Sequence, residues 1–172
     1  MQDVRARMLV VMRHGKAEAF AASDHARSLT ERGRAAARDA GEHLAALGLT
    51  PDLGLVSSAT RTIETFTETA AGAGWSLTPE VDRALYSGST DIVLERLRAL
   101  PEAIGTVLYI GHNPTAAYLC HLLDDGQGDP EATNGLFQGF ATGALAVFGI
   151  DVPWSEIDEE TARLVDFYVP RG

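Results

Sequence analysis

Apolar positions along the chain follow two patterns that alternate: short unbroken runs, and longer stretches with apolar residues at helical spacing. Met8 to Met12 (MLVVM) is a run of the first kind, which predicts a strand buried on both faces of a parallel sheet, and it ends abruptly in Arg13-His14-Gly15-Lys16. After a polar, small-residue stretch from Ala17 to Leu29, a helix is predicted with Thr30 as N-cap. Ala37, Ala40, Leu44 and Leu47 lie on its inner side, and Gly48 and Pro51 stop it. Leu53 to Val56 is a second strand. It runs into Ser57-Ser58-Ala59-Thr60-Arg61, where Ser58 is expected to cap a helix carrying Ile63, Phe66 and Ala70 on one face. Trp75 to Val81 is a weaker strand pattern, and Thr90 to Leu100 has the spacing of a helix. A third buried strand, Thr106 to Ile110, breaks into Gly111-His112-Asn113-Pro114, and Pro114 suits the first turn of a helix running to about Leu123. Residues 124–139 are rich in Gly, Asp, Asn and Pro and are expected to form a long surface loop, a candidate lid. Gly143 to Ile150 and Arg163 to Val169 complete the strands. They flank an exposed segment around Trp154 to Thr161, with Glu156 to Glu160 as a solvated acidic turn.

Strands alternating with helices predict a three-layer α/β/α sandwich with a mostly parallel central sheet. No repeat or interdomain linker interrupts the pattern, so one domain over residues 1–172 is expected. The composition, 45% hydrophobic and 22% charged, fits an ordinary globular chain. A formal net charge of -10 works against nucleic acid or an anionic membrane surface as a partner, and requires any phosphate site to be locally basic. The first apolar run is too short for a signal-peptide core and no stretch is long enough to span a membrane, so a cytoplasmic address is expected. The single cysteine, Cys120, excludes an internal disulfide and reads as a core residue. His25, His43 and His121 read as surface or packing residues. No two histidines have a His-x-x-x-His spacing, and neither metal nor cofactor is expected.

The residues that carry chemistry fall at strand ends. Arg13-His14, Arg61 and His112 each lie just past the carboxyl end of a different predicted strand, the edge at which open α/β sheets bind ligands. Two arginines offering paired hydrogen bonds, two histidines and helix N-termini facing one cavity suit a phosphoryl dianion. A neutral imidazole can attack such a group at physiological pH, and the other histidine can donate to an equatorial oxygen.

Met12-Arg13-His14-Gly15, Ser57-Ser58-Ala59-Thr60-Arg61-Thr62 and Gly111-His112-Asn113-Pro114, in this order and each at a strand end, resemble the motifs of the histidine phosphatase superfamily with its phosphoglycerate mutase-like fold. The likeness spans Met8 to Val169. The short chain, Asp24-His25-Ala26-Arg27-Ser28-Leu29-Thr30 and the closing Phe167-Tyr168-Val169-Pro170-Arg171 are most similar to phosphohistidine phosphatases of the SixA type. The resemblance implies that His14 is the nucleophile of a metal-independent phosphatase, that a phosphohistidine intermediate forms on it, and that Arg13, Arg61 and His112 bind phosphate. Lys16 and Asn113 are candidate additions at the rim, with Ser87 beside them.

Many members of the superfamily carry a glutamate that protonates the leaving oxygen, and the corresponding stretch here reads Asp82-Arg83-Ala84-Leu85-Tyr86. Glu18, Asp24, Glu80 and Asp82 are the candidates to replace it. An alkoxide needs that proton more than an imidazole does, so the missing glutamate favours a phosphoramidate substrate, or one with an activated leaving group, and phosphohistidine in a phosphorylated protein is the first reading. A phosphomonoesterase or phosphoglycerate mutase-like enzyme on a small phosphorylated metabolite is the alternative. A non-catalytic phosphate-binding module is a third reading, of another class.

Overall fold

A computed structural model describes residues 6–172; the first five residues of the expected domain, with part of the stretch weighed as a signal peptide, lie outside the described residues. In chain order the elements are β1 (Arg7–Arg13), α1 (Glu31–Ala46), β2 (Leu53–Ser57), α2 (Thr60–Ala73), β3 (Glu80–Asp82), α3 (Ala84–Ser87), α4 (Thr90–Arg98), β4 (Thr106–Gly111), α5 (Thr115–Leu123), α6 (Pro130–Phe137), β5 (Leu145–Ile150) and β6 (Ala162–Tyr168). The strands form one sheet in the order β3-β2-β4-β1-β5-β6. β1, β2, β3 and β4 are mutually parallel. β5 pairs antiparallel with both β1 and β6, so β5 alone runs against the others. The sandwich with a mostly parallel sheet is therefore the observed architecture.

Both faces of β1 are covered, as its unbroken apolar run requires. Leu9 and Val11 join the layer containing Val93, Leu97, Leu119, Leu123 and Leu136, while Val10 and Met12 join Leu44, Phe66 and Ala70 on the other side. Fully burying each such side chain stabilises the fold by ~1.5–3 kcal/mol. On the second face α1 and α2 touch backbone to backbone. A Cβ on Gly41 would lie 2.0 Å from the Thr69 carbonyl oxygen, so only glycine permits that approach. Thr30 caps α1 as expected, its hydroxyl accepting from the Gly33 amide. Cys120 is buried in the core. Among the described residues no helix is long and apolar enough to cross a membrane.

Five local expectations are corrected. Residues 124–139 are not a long loop: Asp129 caps α6 by accepting from the Ala132 amide, and Ala132 and Leu136 are buried. A Cβ on Gly135 would stand 2.8 Å from the Phe167 ring of β6, so this element is docked rather than free. The segment around Trp154 is anchored, not exposed. Trp154 and Ile157 are 0% exposed, and the indole N–H donates to the Ile104 carbonyl at 2.7 Å; the acidic residues around them face solvent while the two apolar ones point inward. The Trp75 to Val81 strand shrinks to the three-residue edge strand β3. Leu47, at the end of α1, is 46% exposed. Ser58 does not cap α2, because Ala59 occupies the N-cap and the Ser58 hydroxyl instead meets Nε2 of His25 at 2.9 Å.

Candidate active site

Arg13 is the last residue of β1, Arg61 lies in the first turn of α2 and His112 follows β4, which brings all three with His14 to the carboxyl edge of the sheet. The His14 backbone is fixed from both sides, by the end of β4 and by the turn before β5: its amide donates to the Gly111 carbonyl at 3.1 Å, and the Gly143 amide donates to the His14 carbonyl at 2.8 Å. The Gly15 amide donates to the Thr65 hydroxyl at 3.0 Å, and that hydroxyl donates in turn to the Arg61 carbonyl at 2.6 Å. Gly15 must be glycine because a Cβ there would stand 2.9 Å from the Gly33 carbonyl oxygen of α1.

The two imidazoles lie 5.4 Å apart, centre to centre, in different tautomers. His14 Nδ1 is 2.7 Å from the Gly15 carbonyl oxygen. A carbonyl only accepts, so Nδ1 carries the proton and Nε2 keeps its lone pair. Burial lowers the His14 pKa to about 4; the Gly15 hydrogen bond opposes this, and Arg61 and Arg13 add to it. For His112 the pattern is reversed. Nε2 lies 2.7 Å from the Ser57 hydroxyl, and Nδ1 faces an Arg61 N–H at 3.3 Å. Arginine only donates, so Nδ1 of His112 is an acceptor here. Burial, then Arg61, lowers this ring's pKa to about 4 as well.

The guanidiniums are partly committed. One amino group of Arg13 donates to the Phe140 carbonyl at 3.0 Å, and burial lowers the Arg13 pKa. Arg61 donates to the Asp24 carbonyl at 2.9 Å and to Asp24 Oδ2 at 3.2 Å. The Nε–H groups of both Arg13 and Arg61 are buried without an acceptor. An unmet buried donor costs ~1–3 kcal/mol, a cost that an oxyanion accepting from both would offset. Such a set can hold a tetrahedral anion against an unprotonated ring nitrogen.

The remaining sequence candidates divide. Asp24, on the loop after β1, reaches the site through Arg61. Asp82 does not: one oxygen accepts from the Ala84 amide and the other from Arg96 at 2.6 Å, an engagement that lowers its pKa. Glu80 is exposed on the edge strand opposite Leu55, further from the carboxyl edge than Asp82, which pairs with Ser57. The side chain of Glu18 is exposed. Lys16 is exposed beyond Gly15, its carbonyl accepting from the Thr30 amide, and Ser87 is exposed at the end of α3. The Asn113 amide donates to the Phe140 carbonyl at 3.0 Å and accepts from the Ala117 amide at 3.3 Å, so both its ends are held by backbone. Two residues join the site beyond the sequence candidates: Tyr86, whose hydroxyl donates to Asp24 Oδ2 at 2.6 Å, and Ser57, which meets His112 rather than serving only as a helix cap. Their signal was position alone, Ser57 at the end of a strand and Tyr86 at the end of the stretch Asp82 to Tyr86.

The profile of the histidine phosphatase superfamily (branch 1) matches residues 9–87. An uncharacterized protein of Mycobacterium tuberculosis is 32% identical over 162 residues, covering 93% of this chain and 100% of that one. Among solved structures, a protein of Nakamurella multipartitia assigned as a SixA phosphohistidine phosphatase superposes with a TM-score of 0.83 at 33% identity over 96% of both chains. The protein histidine phosphatase SixA in complex with tungstate superposes with a TM-score of 0.78 at 28% identity, covering 95% of this chain and 97% of that one. This chain belongs to the histidine phosphatase superfamily, in its SixA-like group, and is a phosphatase.

Proposed function

We propose that the chain is a metal-independent phosphohistidine phosphatase acting on protein, with His14 as nucleophile and Arg13, Arg61 and His112 as the phosphoryl cradle. The observation that carries this reading is the His14 tautomer: a buried ring, unprotonated at neutral pH, whose Nδ1–H is spent on Gly15 and whose Nε2 lone pair is free. In the first step that lone pair bonds to phosphorus while the P–N bond to the substrate imidazole breaks, its electron pair going to the departing nitrogen. Arg13 and Arg61 donate to the non-bridging oxygens throughout. Water then attacks the phosphoryl group on His14, the P–Nε2 bond breaks, and phosphate leaves.

The carboxylates support a nitrogen leaving group. Asp24 and Asp82 are both held below the usual carboxylate range by their hydrogen-bond partners, so neither stores a proton at neutral pH for an alkoxide. Arginine charge supplies the electrostatic role that a metal would otherwise fill. Among the described residues no group of three or more His, Cys, Asp or Glu is placed to hold a metal ion. Lys16 is proposed to add charge at the rim, and Asn113 to hold the cradle in place rather than to bind phosphate.

The test is phosphate release, with a chelator present, from a phosphohistidine-bearing protein, a phosphoserine protein and phosphoglycerate. Release chiefly from phosphohistidine, lost in His14→Ala, is the expected result. Comparable release from the esters moves the reading to a small-metabolite phosphomonoesterase. No release, with oxyanion binding retained, makes the pocket a binding module.

A further inference from the structure

Asp24 is the carboxylate that Arg61 of the cradle meets. Its Oδ1 lies 3.0 Å from both Nε and an amino nitrogen of Arg27, and its Oδ2 accepts from the Tyr86 hydroxyl at 2.6 Å and from Arg61 at 3.2 Å. Yet its side chain remains 55% exposed, beside an Arg61 side chain that is only 7% exposed. The carboxylate therefore sits between the buried phosphoryl cradle and solvent, where a leaving group has to lie. The Tyr86 ring, edge-on to His112 at 5.7 Å and to His25 at 4.7 Å, adds an aromatic wall to the same side.

We propose that Asp24 is the leaving-group contact of the site: its carboxylate accepts the N–H of the departing imidazole, and so selects phosphoramidates of that kind over esters with anionic leaving groups. The inference rests on the phosphohistidine reading above.

Four donors already fill the carboxylate, and the longest of those contacts is the one from Arg61. A phosphoryl dianion is the stronger acceptor for that N–H. When it enters, Arg61 turns to it and Oδ2 regains a lone pair beside the leaving ring. A phosphoimidazole protonated on its free nitrogen is a cation at that ring, and an adjacent carboxylate stabilises it. When the P–N bond breaks, its electron pair stays with the ring nitrogen and the phosphoryl group passes to Nε2 of His14. Neutral imidazole departs still carrying its N–H. Asp24 stays anionic throughout, consistent with the Tyr86 hydrogen bond and the two arginines holding its pKa at about 2. The same charge opposes a leaving group that gains negative charge, such as a phenolate, or one that bears a carboxylate, such as phosphoglycerate.

The experiment compares kcat/KM for a phosphohistidine peptide and for p-nitrophenyl phosphate in the wild type, Asp24→Asn and Asp24→Glu. Asp24→Asn is expected to lose about tenfold on phosphohistidine and to gain on the aryl ester, while Asp24→Glu recovers the wild-type ratio. If both substrates fall by the same factor in Asp24→Asn, the residue only positions Arg61 and the inference is overturned; an unchanged ratio overturns it too. A wild type inactive on phosphohistidine overturns the proposed function and takes this inference with it, whereas an active wild type with an unchanged ratio leaves that function standing.

Discussion

Nε2 of His112 and the hydroxyl of Ser57 lie 2.7 Å apart, and with Arg61 donating to Nδ1 this places the only proton of the ring on the side away from the cradle. Donation from His112 to a phosphoryl oxygen requires a second proton, on Nδ1. A dianion bound beside the ring favours that proton, raising the pKa from about 4. Tungstate binding at pH 6 should therefore take up a proton, visible as a buffer-dependent heat in titration calorimetry. His112→Gln should bind without that uptake, and buffer-independent heats in the wild type would leave His112 neutral in the complex.

Arg61 spends its amino groups on Asp24 and His112 and keeps Nε–H buried without an acceptor. Lysine preserves the charge but not this fork. Arg61→Lys is expected to lower kcat/KM by about 10²-fold or more, and Arg61→Ala further. Steady-state kinetics on any cleaved substrate measures this, and a fully active Arg61→Lys would reduce the residue to a point charge.

Both site imidazoles have folded pKa values of about 4, below the ~6.5 of an unfolded chain. In the interval between these values the unfolded state binds more protons, so stability falls as pH drops from about 6.5 towards 4 and changes no further through these rings below that. Asp24 acts in the same direction at lower pH: its stabilising contribution is present above about 3.9 and is lost as pH falls towards 2. Urea unfolding at pH 7.5, 6 and 5 should show the decline, and His14→Gln should flatten it.

Trp154 anchors the segment between β5 and β6 with a fully buried ring and one indole hydrogen bond. Trp154→Ala should cost ~3–5 kcal/mol in chemical unfolding. Trp154→Phe should cost less, because most of the buried area is retained while the Ile104 carbonyl loses its donor. Equal losses in the two variants would mean that the hydrogen bond, not the packing, dominates.

The parallel strands were legible because burial on both faces leaves unbroken runs such as MLVVM and TVLYI, and the meeting of Arg13, His14, Arg61 and His112 at one sheet edge because each stands at or shortly after the end of a strand. α6 was not legible: Gly128, Pro130, Asn134 and Gly135 read as loop composition, yet Pro130 fits the first turn of a helix and Gly135 is needed for contact with Phe167. Trp154 was obscured by the acidic residues around it, whose polarity describes one side of the segment only. The hydrogen bond between Asp24 and Tyr86 joins positions 62 apart in sequence, which no local pattern encodes.

The carbonyl of Phe140 receives both Arg13 and Asn113, each at 3.0 Å. One oxygen thus joins the ends of β1 and β4 to the connection that leads from α6 into β5. If that connection swung outward, it would withdraw the acceptor that orients Arg13, so opening a door on this flank would dismantle the cradle it was meant to expose. The turn that carries Asp24 has no such bond to Arg13: it is exposed, with the Phe20 ring 91% open to solvent, and under the proposed function it is the side from which a phosphorylated side chain enters.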